Sequence, residues 1–152
     1  MKNGFYKNQI IMFIVMVVVG MLFNPMNMLA YRFEDFYISL TLFYGGLLMA
    51  SNMIWAHEIV HYLAMGHFNI KIFLFGICLS TFIVFGLLRN QLFVNEQNWL
   101  LRMIPHHSTA LTTTNKLINN DKIRNNKNLY RLAKDIIYNQ EREIVLMKLM
   151  LR

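Results

Sequence analysis

Cysteine is almost missing from this chain of 152 residues: its one thiol, Cys78, sits inside an apolar run. An intrachain disulfide is therefore excluded, and cysteine usage does not mark a redox compartment. Charge is scarce too. Asp, Glu, Lys and Arg make up 15% of the residues against 56% hydrophobic ones, which is not the balance of an ordinary soluble domain. Acidic residues are rarest, eight against fifteen Lys and Arg. Proline occurs twice, as Pro25 and Pro105, and each should end or distort a helix because its nitrogen carries no hydrogen.

The charge that is present lies at one end. Residues 1–88 hold four Lys/Arg and three Asp/Glu, and residues 89–152 hold eleven and five, so the two parts carry +1 and +6. The boundary near Arg89 reads as a change of solvent, from lipid to water. A basic tail can signal nucleic acid, but here the signs alternate along helical faces and no aromatic stacking platform accompanies them. Nucleic acid is not expected as a partner, and a solvated helix surface near anionic headgroups is the plainer reading.

The apolar part predicts three membrane-spanning helices at residues 8–29, 37–65 and 70–89, forming a region 1–89 in contact with the lipid bilayer. Lys2 and Lys7 flank the first, and Asn24-Pro25 ends it. The loop that follows carries Arg32, Glu34 and Asp35. The second span continues past the hydrocarbon through His57, Glu58 and His61 to Met65, with Gly66 as its stop. Positive charge near the spans is almost evenly divided, so this multi-pass arrangement leaves the side of the C-terminal part open.

Residues 95–152 read as two amphipathic helices. Asn95 is a suitable N-cap, with Glu96 in the first turn. Leu100, Met103, His107, Ala110, Leu111, Thr114 and Leu117 share one face of the first helix. Leu129, Leu132, Ile136, Gln140, Ile144, Met147 and Leu151 share one face of the second. A polar turn over 119–127 makes them an antiparallel hairpin. Folding about residue 123 puts Met103 opposite Glu143, His106 and His107 opposite Gln140 and Asn139, and Met147 one turn from Glu143 on the Met103 side.

Two clusters could carry chemistry. Met103, His106 and His107 combine a thioether with two imidazoles, a set that favours copper and above all Cu(I) over zinc. Adjacent histidines point about 100° apart on a regular helix, so Pro105 would have to bend the geometry for both to bind one ion. The alternative is an interhelix core in which both histidines merely hydrogen-bond. A possible second metal site comprises Met49, Met53, His57, His61 and Met65, spaced by four, together with His67.

The stretch Met103-Ile104-Pro105-His106-His107-Ser108-Thr109-Ala110-Leu111, followed by Ile136-Ile137-x-x-Gln140-x-x-Glu143-Ile144-x-x-Met147, resembles domain-of-unknown-function family 305. The resemblance covers roughly residues 95–151 and implies half of a ferritin-like helical bundle associated with copper binding and tolerance. It implies a metal role for Met103, His106, His107, Glu143 and Met147. The three-span front end resembles the membrane-anchored branch of that family. Many members carry Gln-Gly after the histidine pair, where this chain has Ser108-Thr109.

His57-Glu58-Ile59-Val60-His61 also fits H-E-x-x-H, the zinc-protease pattern in which two histidines hold the metal and Glu activates water. His67 falls at the third-ligand position of the longer pattern, but Ala64 stands where that pattern has glycine. The resulting expectation is an all-α membrane protein with a C-terminal copper-binding hairpin, acting in metal sequestration, delivery or tolerance and not as an enzyme. A hairpin buries little surface alone, so a homo-oligomer is expected through it. The alternatives are a membrane zinc protease using His57, Glu58 and His61, and a structural membrane protein without metal.

Overall fold

The structure, a computed structural model, describes residues 2–152 apart from the side chains of residues 2–6, Lys122 and Arg124. Met1 and the side chain of Lys2 lie outside the described residues. All regular structure in the described part is helical, as the sequence predicts. Its helices are α1 (Lys2–Leu22), α2 (Pro25–Met28), α3 (Leu40–Met65), α4 (Ile70–Phe82), α5 (Glu96–Ile118) and α6 (Lys127–Met150). Short 3-10 turns cover Phe33–Asp35 and Asp121–Asn125, and α4 runs on into a π-helical stretch, Ile83–Leu88. The chain divides into two compact units. One contains the residues up to Leu22 together with Leu40–Val94, and the other contains Phe23–Ser39 together with Asn95–Arg152. The segment after α1, a plain loop by sequence, thus belongs with the C-terminal helices.

In the first unit α3 packs against both α1 and α4. It runs antiparallel to α1, so that Gln9 meets His57 and Gly20 meets Gly46. A Cβ on Gly46 would stand 2.8 Å from the Val17 carbonyl oxygen, and one on Gly76 of α4 would stand 2.9 Å from the Trp55 nitrogen. Only glycine lets these backbones approach so closely, the usual device where apolar helices associate without a hydrophobic driving force. Ser51 and Ser80 meet across the α3–α4 contact, Oγ to Oγ, at 2.9 Å.

Two stretches, Lys7–Met28 and Ile70–Leu88, are long and apolar enough to cross a membrane, and only 11% of each is buried within the protein. A core helix of a soluble protein would hide most of that surface. The second expected span, 37–65, is corrected. Helix α3 has 26 residues but does not reach the apolarity of the other two, because Ser51, Asn52, His57, Glu58 and His61 dilute its apolar run. Gly66 ends α3 as expected, with φ +68° and its amide donating to the Tyr62 carbonyl at 2.8 Å.

In the second unit Asn95 caps α5, its side chain accepting the Asn98 N–H at 2.8 Å. The helix continues through Pro105, which has no N–H to offer the Leu101 carbonyl. Asn126 caps α6 through the Leu129 amide. Leu100, Ile104 and Leu111 of α5 form the buried core with Ile144 and Met147 of α6, and Tyr37, Met103, Ile137 and Leu151 pack around it. The expected apolar face of α6 is rotated in its first half. Leu129 and Leu132 are exposed and Ala133 is buried. α5 is covered on a second side by α2 and the Phe33–Asp35 turn, which accounts for the complete burial of Ile104 and Ser108.

Candidate functional site

Four of the five residues singled out in the C-terminal part gather where α5 and α6 meet. Met103 packs against the core that contains Met147. His107 is 9% exposed, and its Nδ1 lies 3.0 Å from Glu143 Oε2. That approach is not aligned as a hydrogen bond, so a buried ring nitrogen has no hydrogen-bond partner among the described residues. Burial pushes the His107 pKa below the ordinary histidine value. The Glu143 carboxylate opposes the shift and neighbouring His106 adds to it. The imidazole is therefore mainly neutral at pH 7, the form in which a ring nitrogen can bind metal.

Glu143 reaches His107 because helical side chains lean towards the N-terminus of their helix, which carries the carboxylate one turn along α6. His106 is the residue left out. It is exposed, its ring centroid is 5.8 Å from that of His107, and the two rings are tilted by 59°. Among the described residues no three His, Cys, Asp or Glu side chains form a ready ion-binding group. A metal held here would need the thioethers of Met103 and Met147 to complete its ligands.

Sequence reasoning missed a buried polar network beside these residues. Asp35 is fully buried. Its Oδ2 accepts a hydrogen bond from Ser108 Oγ at 2.6 Å, and its Oδ1 lies 2.5 Å from Lys148 Nζ. Ser108 Oγ also accepts the Tyr31 N–H at 2.8 Å, and Thr109 Oγ1 donates to the Met26 carbonyl at 2.6 Å. Burial works to lower the Lys148 pKa, but the carboxylates of Asp35 and Glu34 outweigh it and raise the pKa above the ordinary lysine value. Arg102 lies against Met26 Sδ, and burial lowers its pKa. The sequence held one signal for this network: Ser108 and Thr109 are the positions at which the chain departs from the Gln-Gly pattern, and here they anchor residues 23–39. Ser108 follows His107 and Lys148 follows Met147, so the network borders the candidate ligands on both helices.

In the first unit the six residues of the possible second metal site do not form one cluster. The His57 and His61 rings stack at 6.1 Å between centroids, and His67 meets His61 edge-on at 5.7 Å. Met49 lies beside Gly20, about 12 Å from His57 along the helix. Met53 is half-buried, and Met65 is exposed at the helix end. Glu58 is buried, with Oε2 accepting the Asn69 N–H at 3.1 Å where α4 begins.

Residues 88–151 match the domain of unknown function DUF305. The chain is similar to "Uncharacterized protein L153" of Acanthamoeba polyphaga mimivirus, with 33% identity over 135 residues that span 89% of this chain and 85% of that one. No solved structure matches it.

Proposed function

The chain belongs to the DUF305 family, and from that premise we propose that it is a membrane-anchored copper-binding protein acting in metal sequestration, delivery or tolerance. His107 carries the reading: a nearly buried imidazole, kept neutral by burial, whose Nδ1 faces the Glu143 carboxylate at 3.0 Å so that Nε2 would be the ligating nitrogen. Met103 and Met147 belong to the packing between the same two helices. Two thioethers with an imidazole suit soft Cu(I) better than zinc, which prefers thiolate, imidazole and carboxylate. Glu143 would steady the His107 ring, and exposed His106 would receive the ion from outside and pass it inwards. A bound Cu(I) in such a set is held in its reduced state and stays exchangeable.

In this reading α5 and α6 make an antiparallel hairpin, half of a ferritin-like bundle. A second copy would complete four helices, and the exposed leucines 129, 132, 146 and 149 on α6 support such pairing. Helices α1 and α4 face lipid with α3 carried alongside, so the chain crosses the bilayer more than once. The low burial of the two apolar stretches supports this.

The test is Cu(I) competition between the full-length protein in detergent and a chromophoric chelator. The triple variant Met103→Leu, His107→Ala, Met147→Leu should bind about 100-fold more weakly or worse with its helix content retained. Unchanged affinity would overturn the proposal.

A further inference from the structure

The C-terminal end of α3 carries three imidazoles that the copper reading leaves unused. We propose that His57, His61 and His67 form a second metal site, for a borderline divalent ion of the Zn(II) class, with Gln9 orienting the His57 ring. His57 and His61 are four residues apart on α3 and so share a face. Gly66, in its left-handed conformation, turns the chain so that His67 comes back against His61. The centroid separations are 6.1 Å and 5.7 Å. Two imidazoles on one tetrahedral ion with metal–nitrogen bonds of about 2.0–2.1 Å have centroids about 5 Å apart. The rings do not yet converge, but the difference is within reach of side-chain rotation without movement of the helix.

Two further observations point to a ligand. His61 Nδ1 lies 3.0 Å from the His67 carbonyl oxygen. A ring N–H donated there fixes the tautomer and leaves Nε2 as the ligating nitrogen, the usual outer-sphere arrangement of a metal-binding histidine. Gln9 Nε2 is 3.5 Å from His57 Nδ1, while Gln9 Oε1 is buried with no hydrogen-bond partner among the described residues. With the Gln9 amide turned over, the buried oxygen accepts the His57 Nδ1–H, which satisfies it and leaves His57 Nε2 as the ligating nitrogen, as at His61.

The donor types separate this site from the one on α5 and α6. Imidazole nitrogens suit Zn(II) or Cu(II), whereas the thioethers of Met49 and Met65 lie towards Gly20 and at the exposed helix end. The site binds and does not hydrolyse. Glu58 is buried with its carboxylate on the Asn69 amide and is not placed to take a proton from metal-bound water.

The experiment titrates Zn(II) into metal-stripped full-length protein carrying Met103→Leu, His107→Ala and Met147→Leu, against a chromophoric zinc chelator, with Co(II) absorption as a second readout. One equivalent should bind, and Co(II) should show the intense visible bands of a four-coordinate site. His67→Ala, an exposed turn position where folding is not at stake, should weaken binding at least about tenfold, and His61→Ala more. Glu58→Gln should leave the zinc affinity unchanged. Absence of Zn(II) binding in this background would overturn the proposal, as would an affinity unchanged from the parent in the His61→Ala and His67→Ala variants. Because the three background substitutions remove the copper site, this result stands or falls separately from the Cu(I) titration.

Discussion

Lys148→Met should be the most destabilising single change at the surface of the second unit, and Asp35→Asn should partly rescue it. The Asp35 side chain is 1% exposed and lies 2.5 Å from an ammonium that is itself 24% exposed. Removing the cation leaves a buried carboxylate with the Ser108 hydroxyl as its remaining short contact among the described residues. Breaking a buried pair in this way costs about 3–5 kcal/mol, and the partial exposure of Lys148 places this one near about 3 kcal/mol. Asp35→Asn alone costs less, about 1.5–3 kcal/mol, because the stranded lysine can turn to Glu34, already 3.1 Å away, and to water. In the double variant no charge is left buried, so it should be more stable than Lys148→Met alone, a non-additivity that a double-mutant cycle isolates. The assay is reversible unfolding of the full chain in detergent followed by far-UV circular dichroism, with the rate of tryptic cleavage at Arg32 reporting release of residues 23–39. A cost under about 1 kcal/mol for Lys148→Met, or a double variant as unstable as the two single costs added together, would show that Lys148 does not hold the Asp35 charge in place.

The folded pKa of His107 lies below its unfolded value of about 6.5, so the unfolded chain binds the extra proton more readily. The stability this residue contributes is complete above about pH 6.5 and is lost as pH falls through the lowered folded pKa. Unfolding of the metal-free protein at pH 7 and pH 5 should show this loss, and His107→Gln should reduce it; Cu(I) affinity should fall in the same window, because protonation takes the ligating lone pair. Gly46→Leu should separate α1 from α3, since even a Cβ would stand 2.8 Å from a backbone oxygen. A loss of about 1–3 kcal/mol is expected on overpacking grounds, measured as above, and wild-type stability would show that the two helices do not meet at Gly46.

Much of this protein is legible in its residues because the information is local. The helix caps at Asn95 and Gly66, the apolar stretches of α1 and α4, and the pairing of α5 with α6 follow from side chains acting on their own backbone or at helical spacing. The gathering of Met103, His107, Glu143 and Met147 follows from that pairing and from the lean of side chains along a helix. What the sequence could not supply depends on segments far apart in the chain. The period puts Leu132 on the apolar face of α6, but packing leaves it exposed and buries Ala133 beside it. Asp35 reads as an ordinary loop acid until residues 23–39 fold onto α5 and α6 and bury it between Ser108 and Lys148. His67 lies six residues from His61 along the chain, and the left-handed turn at Gly66 brings their rings together. Periodicity records which face of a helix is apolar, whereas burial of a charge or convergence of ligands depends on what covers that face, and the covering segment is supplied by another part of the chain.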